Sequence, residues 1–156
     1  MDQSFLTFHI GSYFLGVSAD NLLEVNRNLK YTKIPDGPKT ICGILNLRGS
    51  MMPIINLGSY LQIADAQDGS FCIILKIENH DIALMVDSIG DIATFNTNDF
   101  SPCPMQLSDE FQKTILGAFR LPKGLLIALD ISAIFSNTHN IDNTSLSEIS
   151  MNSEKL

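Results

Sequence analysis

Residues 44–57 read Ile44-Leu45-Asn46-Leu47-Arg48-Gly49-Ser50-Met51-Met52-Pro53-Ile54-Ile55-Asn56-Leu57, with Gly43 just before them. Alternation sends Leu45 and Leu47 to one side and Asn46 and Arg48 to the other, which is the pattern of a strand with an apolar and a polar face. Gly49 ends that strand, where a turn calls for a residue without a side chain. Met52 to Leu57 then reads as a second strand. Its Pro53 cannot donate to a sheet ladder, so the strand is expected to be an edge or to begin at a bulge. An exposed edge requires protection or a partner.

Outward from this pair the same period-two signal recurs. Phe5 to Ile10 and Tyr13 to Val17 flank Gly11-Ser12, a two-residue hairpin turn led by glycine. Cys72 to Ile77 and Ile82 to Val86 flank Asn79-His80-Asp81, and Ile115 to Leu121 and Leu125 to Leu129 flank Pro122-Lys123-Gly124. With Leu22 to Asn26 and Ile89 to Phe95, about ten short strands result, an all-β chain built as a barrel or sandwich and not as βαβ units. Helical signals are brief: Pro38 to Ile41, Gly58 to Ile63, Ser108 to Lys113 and Ile131 to Phe135. From Ser136 to Leu156 serine and asparagine dominate, the composition of a mobile tail; a short helix over Leu146 to Met151 on a partner is an alternative there.

The 156 residues suffice for one domain, and 45% hydrophobic residues against 17% charged ones supply a sizeable core. A net charge of -7 with ten scattered basic residues argues against nucleic-acid binding. Cys42, Cys72 and Cys103 lie too far apart for a zinc ribbon or a disulfide framework and read as thiols of a reducing cytosol. No run of about 18 apolar residues points to a membrane span, and the N-terminus lacks the features of a secretory signal. The chain is therefore expected to be cytoplasmic.

Catalytic signals are absent as a group: there is no nucleophile elbow, zincin helix, phosphate-binding glycine loop or EF-hand spacing. His9 falls on the outward face of the first strand, His80 in a hairpin turn and His139 in the tail, which suits three solvated histidines better than a general base. Asp87 and Asp91 read as turn and strand-end carboxylates and not as a catalytic pair. No metal or cofactor is expected.

Leu22 to Asn26 has the same two-faced character as the opening strand, with Leu23 and Val25 read as inward and Leu22, Glu24 and Asn26 as outward. Glu24 is expected to share a polar surface with Arg48. The run ILNLRGSMMPIINL resembles the INLRG and PI-I/V-D/N-L signature of the chemotaxis coupling-protein (CheW) family. LLEV, IALMVDSIGDI and ILGAFRLPKGLLIALDISAIF extend the resemblance over residues 5–135. The resemblance implies two five-stranded β-barrels packed around a hydrophobic junction. It implies a non-catalytic adaptor that couples the cytoplasmic tip of a chemoreceptor to the regulatory domain of the CheA histidine kinase, in membrane-associated receptor arrays. It assigns Leu22, Glu24, Gly43, Asn46, Arg48 and Gly49 to the partner-facing part of the first half. Asn56, where the family commonly carries Asp, and Gly58, where a basic residue is common, leave open a receptor system serving pilus motility or another output.

Overall fold

The first 18 residues form a hairpin because every second side chain is apolar: β1 (Asp2–Ile10) and β2 (Tyr13–Ser18) pair in the register Ile10 to Tyr13 around Gly11, whose φ is +56°. A computed structural model describes residues 1–27, 30–33, 40–67, 71–122 and 124–136. The remaining strands are β3 (Leu22–Arg27), β4 (Thr32–Lys33), β5 (Ile41–Leu47), β6 (Ser50–Asn56), β7 (Phe71–Ile77), β8 (His80–Val86), β9 (Ser88–Asn96), β10 (Phe100–Ser101), β11 (Ile115–Leu121) and β12 (Gly124–Leu129). Short helices α1 (Leu57–Tyr60), α2 (Asp109–Lys113) and α3 (131–136) join them.

Two six-stranded sheets result, in the orders β10-β11-β12-β2-β1-β9 and β3-β7-β8-β6-β5-β4. Each has five longer strands and one strand of two residues, so the ten strands read from the pattern are all present and β4 and β10 are additions too short to carry a period. The sheets are interlocked. The first takes the β1–β2 hairpin from the start of the chain and β9 to β12 from its end; the second takes β3 to β6 and then the β7–β8 hairpin. In both, the hairpin meets a later or earlier hairpin in parallel: Ala128 lies opposite Gly16 in one ladder, and Ile54 opposite Ala83 in the other.

The apolar runs are continuous because both faces of each sheet are covered. Leu6, Phe8 and Ile10 of the first sheet meet Ile73, Leu75 and Ile77 of the second in one core between them. On its other face each sheet has its own cluster: Phe5, Phe119, Leu126 and Ala128 for the first, and Leu45, Met52, Ile54, Cys72, Ile74 and Ala83 for the second. The two-unit architecture with an apolar junction is thus as expected.

Two expectations are corrected. Met52 to Leu57 is not at an edge: β6 lies between β5 and β8. Its pairing with β8 begins only at Ile54, so Pro53 sits where that ladder has not started, and the bulge lies on β5, where the register slips between Ile41 and Gly43. The edges are β3, β4, β9 and β10. The turn over Pro38, Lys123 of the last hairpin and the tail from residue 137, with His139 and Leu146 to Met151, fall outside the described residues.

Candidate protein-docking surface

Arg48 and Gly49 are the two central residues of the β5–β6 turn, with φ of +52° and +84°, the geometry of a type I′ hairpin turn. Glycine takes this conformation without cost, whereas a left-handed arginine costs on the order of 1–2 kcal/mol. Arg48 is held there 79% exposed, its Nη2 donating to Glu24 Oε2 at 3.3 Å. An unfavourable backbone spent on presenting a cation to solvent points to a surface with a task.

Glu24 reaches this turn because β3 carries a bulge. The register with β7 slips between Leu22 and Glu24, so Glu24 pairs with Ile74 and shares its face, toward the inner cluster of the second sheet. Its side chain is 24% exposed, and Oε1 is buried with no hydrogen-bond partner. Arg48 therefore supplies the charge that partly offsets desolvation of the carboxylate. Beneath the pair, Cys42 Sγ lies 3.8 Å from Met85 Sδ. Burial pushes the Cys72 thiol up to about 11, with a contribution from Cys42, and raises Cys42 and Tyr31 as well.

The burial along β3 is the reverse of that expected. Leu23 and Val25, read as inward, are 51% and 42% exposed, while Leu22, read as outward, packs against the main core. Burial still alternates along the strand, and Val25, opposite the buried Ile73, is exposed because β3 is an edge of its sheet. Of the six expected site residues, Glu24 and Arg48 are joined directly, Gly49 shapes their turn, and Asn46 is exposed opposite the 54% exposed Met51. Gly43 is buried under β4, where a Cβ would collide with the Thr32 carbonyl oxygen, so its role is packing. The patch thus comprises the ion pair and the exposed residues next to it along its strands, Leu23 and Val25 on β3 and Asn46 and Met51 beside the turn. Leu23, Val25 and Met51 were missed, because the edge position of β3 that leaves the first two exposed is set by its pairing with β7 and not by its own residues.

The described residues suit no reaction centre of the kinds sought above. Asp87 spends Oδ2 on the backbone N–H groups of Gly11 and Gln67, at 2.7 and 2.9 Å, which is the work of a turn carboxylate. His9 stacks on Phe14 at 4.7 Å, on a groove of about 590 Å³ whose other walls include Leu121, Pro122 and Leu125. His80 stacks on Phe135 of α3 at 5.2 Å. No described helix is long and apolar enough to cross a membrane.

A sequence profile of the CheW-like domain matches residues 4–139. The chain belongs to the CheW-like domain family. It is similar to a probable chemotaxis protein CheW of Rhizobium etli, 27% identical over 141 residues that cover 89% of this chain and 91% of that one. It is also similar to the chemotaxis protein CheW of Treponema pallidum, 28% identical over 87% of this chain and 85% of that one. Among solved structures, the scaffolding protein TtCheW of Thermoanaerobacter tengcongensis superposes with a TM-score of 0.72 at 25% identity, covering 83% and 89% of the two chains. The CheW-like fold accounts for the interlocked sheets, and the family is one of non-catalytic chemotaxis scaffolds.

Proposed function

We propose that this CheW-like scaffold is a cytoplasmic adaptor that couples the cytoplasmic tip of a chemoreceptor to the regulatory domain of a CheA histidine kinase, with residues 5–135 as the adaptor domain and residues 136–156 as a tail outside it. The observation that supports this reading is the patch around Glu24 and Arg48. Apolar side chains that a folded monomer gains nothing by exposing stand on either side of an ion pair held on a strained turn. A few apolar anchors around a polar centre give reversible and specific association without chemistry. Fixing geometry is then the mechanism: a receptor rearrangement that changes contacts at the patch alters the kinase's conformational equilibrium by the difference in those contacts.

The test is titration of the purified chain with a receptor cytoplasmic fragment and, separately, with the CheA regulatory domain. The reading expects saturable binding to both. It expects receptor affinity to fall at least tenfold in Arg48→Ala and Leu23→Asp variants whose melting curves are unchanged. Leu22→Asp is unsuited to this purpose, since Leu22 packs on the core. Binding to neither partner at low salt, or unaltered affinity in both variants, contradicts the reading.

A further inference from the structure

The inner cluster of the second sheet gathers sulfur. Two of the three cysteines and two of the six methionines, Cys42, Cys72, Met52 and Met85, pack in it or against it. Cys72 and Met85 stand directly opposite each other in the β7–β8 ladder, so their side chains leave the sheet on the same face. Cys42 approaches from β5, on the far side of β6, with its Sγ donating toward Met85 Sδ at 3.8 Å. It is also near enough to Cys72 to act on that thiol electrostatically. Sulfur atoms from three strands therefore meet at one place. Cys42 and Met85 are partly exposed while Cys72 is 3% exposed, so the group is open to solvent on one side and closed on the other.

The donors are soft and of one kind. Among the described residues no three His, Cys, Asp or Glu side chains lie together as a zinc or hard-cation site needs. Two thiols and a thioether are instead the donor set that selects Cu(I) among biological ions. Spacing agrees with this. Two sulfurs that each lie about 2.3 Å from one ion, at an angle of about 110–120°, stand about 3.8–4.0 Å apart. Cys42 and Met85 already have that separation. Charge agrees as well, since a monovalent ion that takes the place of one thiol proton leaves the cluster as neutral as an apolar site requires.

We propose that Cys42, Met85 and Cys72 form a binding site for a soft monovalent cation, Cu(I), with Cys42 as the thiolate ligand, Met85 as the thioether ligand and Cys72 as the third sulfur behind them. On binding, the Cys42 S–H bond breaks, its proton passes to solvent, and an ion–sulfur bond takes its place. No electron is exchanged, because the ion enters as Cu(I). The ion ties β5 to β8 across β6, joining two strands that share no ladder. A ligand held by the folded chain alone stabilises it by mass action, so the second sheet gains most. The inference concerns the interior of this sheet and stands whether or not the Glu24–Arg48 patch binds a receptor.

The test adds Cu(I), as its acetonitrile complex, to the reduced full chain under nitrogen in competition with a colorimetric Cu(I) chelator, and repeats the titration with Ag(I) as a redox-inert probe. Expected are one retained ion per chain, a thiolate-to-metal absorption band in the ultraviolet and a rise in melting temperature. Cys42→Ala should abolish retention against the chelator, Met85→Leu should weaken it at least tenfold, and Cys72→Ala should weaken it by less than Cys42→Ala does. Cys103→Ala should bind as the parent does, since Cys103 packs against the main core. Met85→Leu conserves volume and so keeps the test decisive if a cysteine variant folds poorly. No ion retained against the chelator, parent-like retention in Met85→Leu, or loss in Cys103→Ala would overturn the proposal. So would a fall in melting temperature, which marks binding to the cysteines of the unfolded chain.

Discussion

The two sheets share strand order, crossover and bulge positions, yet they are finished differently. Around the first sheet's outer cluster the rings of Phe5, Phe95, Phe100 and Phe119 pack at centroid distances of 4.7 to 6.3 Å. The corresponding cluster of the second holds aliphatic and sulfur side chains with the ring of Tyr31 packed against them, and Glu24 turns into it from β3. Their hairpin turns diverge too: the one between Leu47 and Ser50 begins with Arg48, and the β11–β12 turn begins with Pro122. Features common to both sheets are those that folding requires. Features found on one alone, the ion pair and the sulfur cluster, are where function is to be sought.

If the interlock is right, damage to either outer cluster lowers one shared transition. Phe119→Ala removes the centre of the aromatic cluster and should cost about 3–5 kcal/mol. Ile54→Ala, on the other sheet, should cost about 2–5 kcal/mol. Calorimetry of each should give a single transition at reduced temperature; two separated transitions would break the picture of sheets that share hairpins.

A finer contrast lies in the equivalent glycines, each following a bulge. At Gly43 a Cβ meets the Thr32 carbonyl oxygen first and then the Tyr31 ring; at Gly117 it meets the Phe100 ring first and the Ser101 carbonyl oxygen less closely. Backbone cannot move aside as a ring can. Gly43→Ala should therefore destabilise by about 2–3 kcal/mol and Gly117→Ala by about 1–2 kcal/mol, in the range for forcing atoms into packed space. Denaturant midpoints would check the order.

Cys72 gives the second sheet a pH dependence. Its folded value of about 11 lies above the ordinary 9.0, so the neutral thiol is favoured in the folded state. That contribution is complete below pH 9 and is lost as pH rises toward 11. Stability measured across this window should fall less in Cys72→Ala than in the parent chain. The smallest effect on stability belongs to Arg48→Ala, which removes an exposed partner and should cost only about 0–1 kcal/mol; its consequence lies in binding.

Much of this fold was legible in the sequence. The hairpin turn at Gly11-Ser12, the strand end at Gly49 and alternation over ten strands follow from local chemistry that each segment carries by itself, whereas Arg48, read as the last residue of its strand, is in the turn. Three things were not legible. The edge position of β3 is set by its pairing with β7, so Leu23 and Val25 were read as inward although the border of the sheet leaves them exposed. The place of β6 in its sheet depends on β8, some thirty residues away, and Pro53 alone suggested an edge. The meeting of Cys42 with Met85 emerges only once β5 and β8 are placed on either side of β6. At the site, Glu24 and Arg48 could be named because their charges stood out on apolar strands, whereas Gly43 was a packing glycine in a partner-facing guise.

The most direct test of the account is calorimetric titration of a receptor cytoplasmic fragment into Val25→Asp, a change at an exposed side chain of β3. The account predicts at least tenfold weaker binding, with the variant melting as the parent does. Parent-like binding would contradict the assignment of the receptor to the Glu24–Arg48 patch.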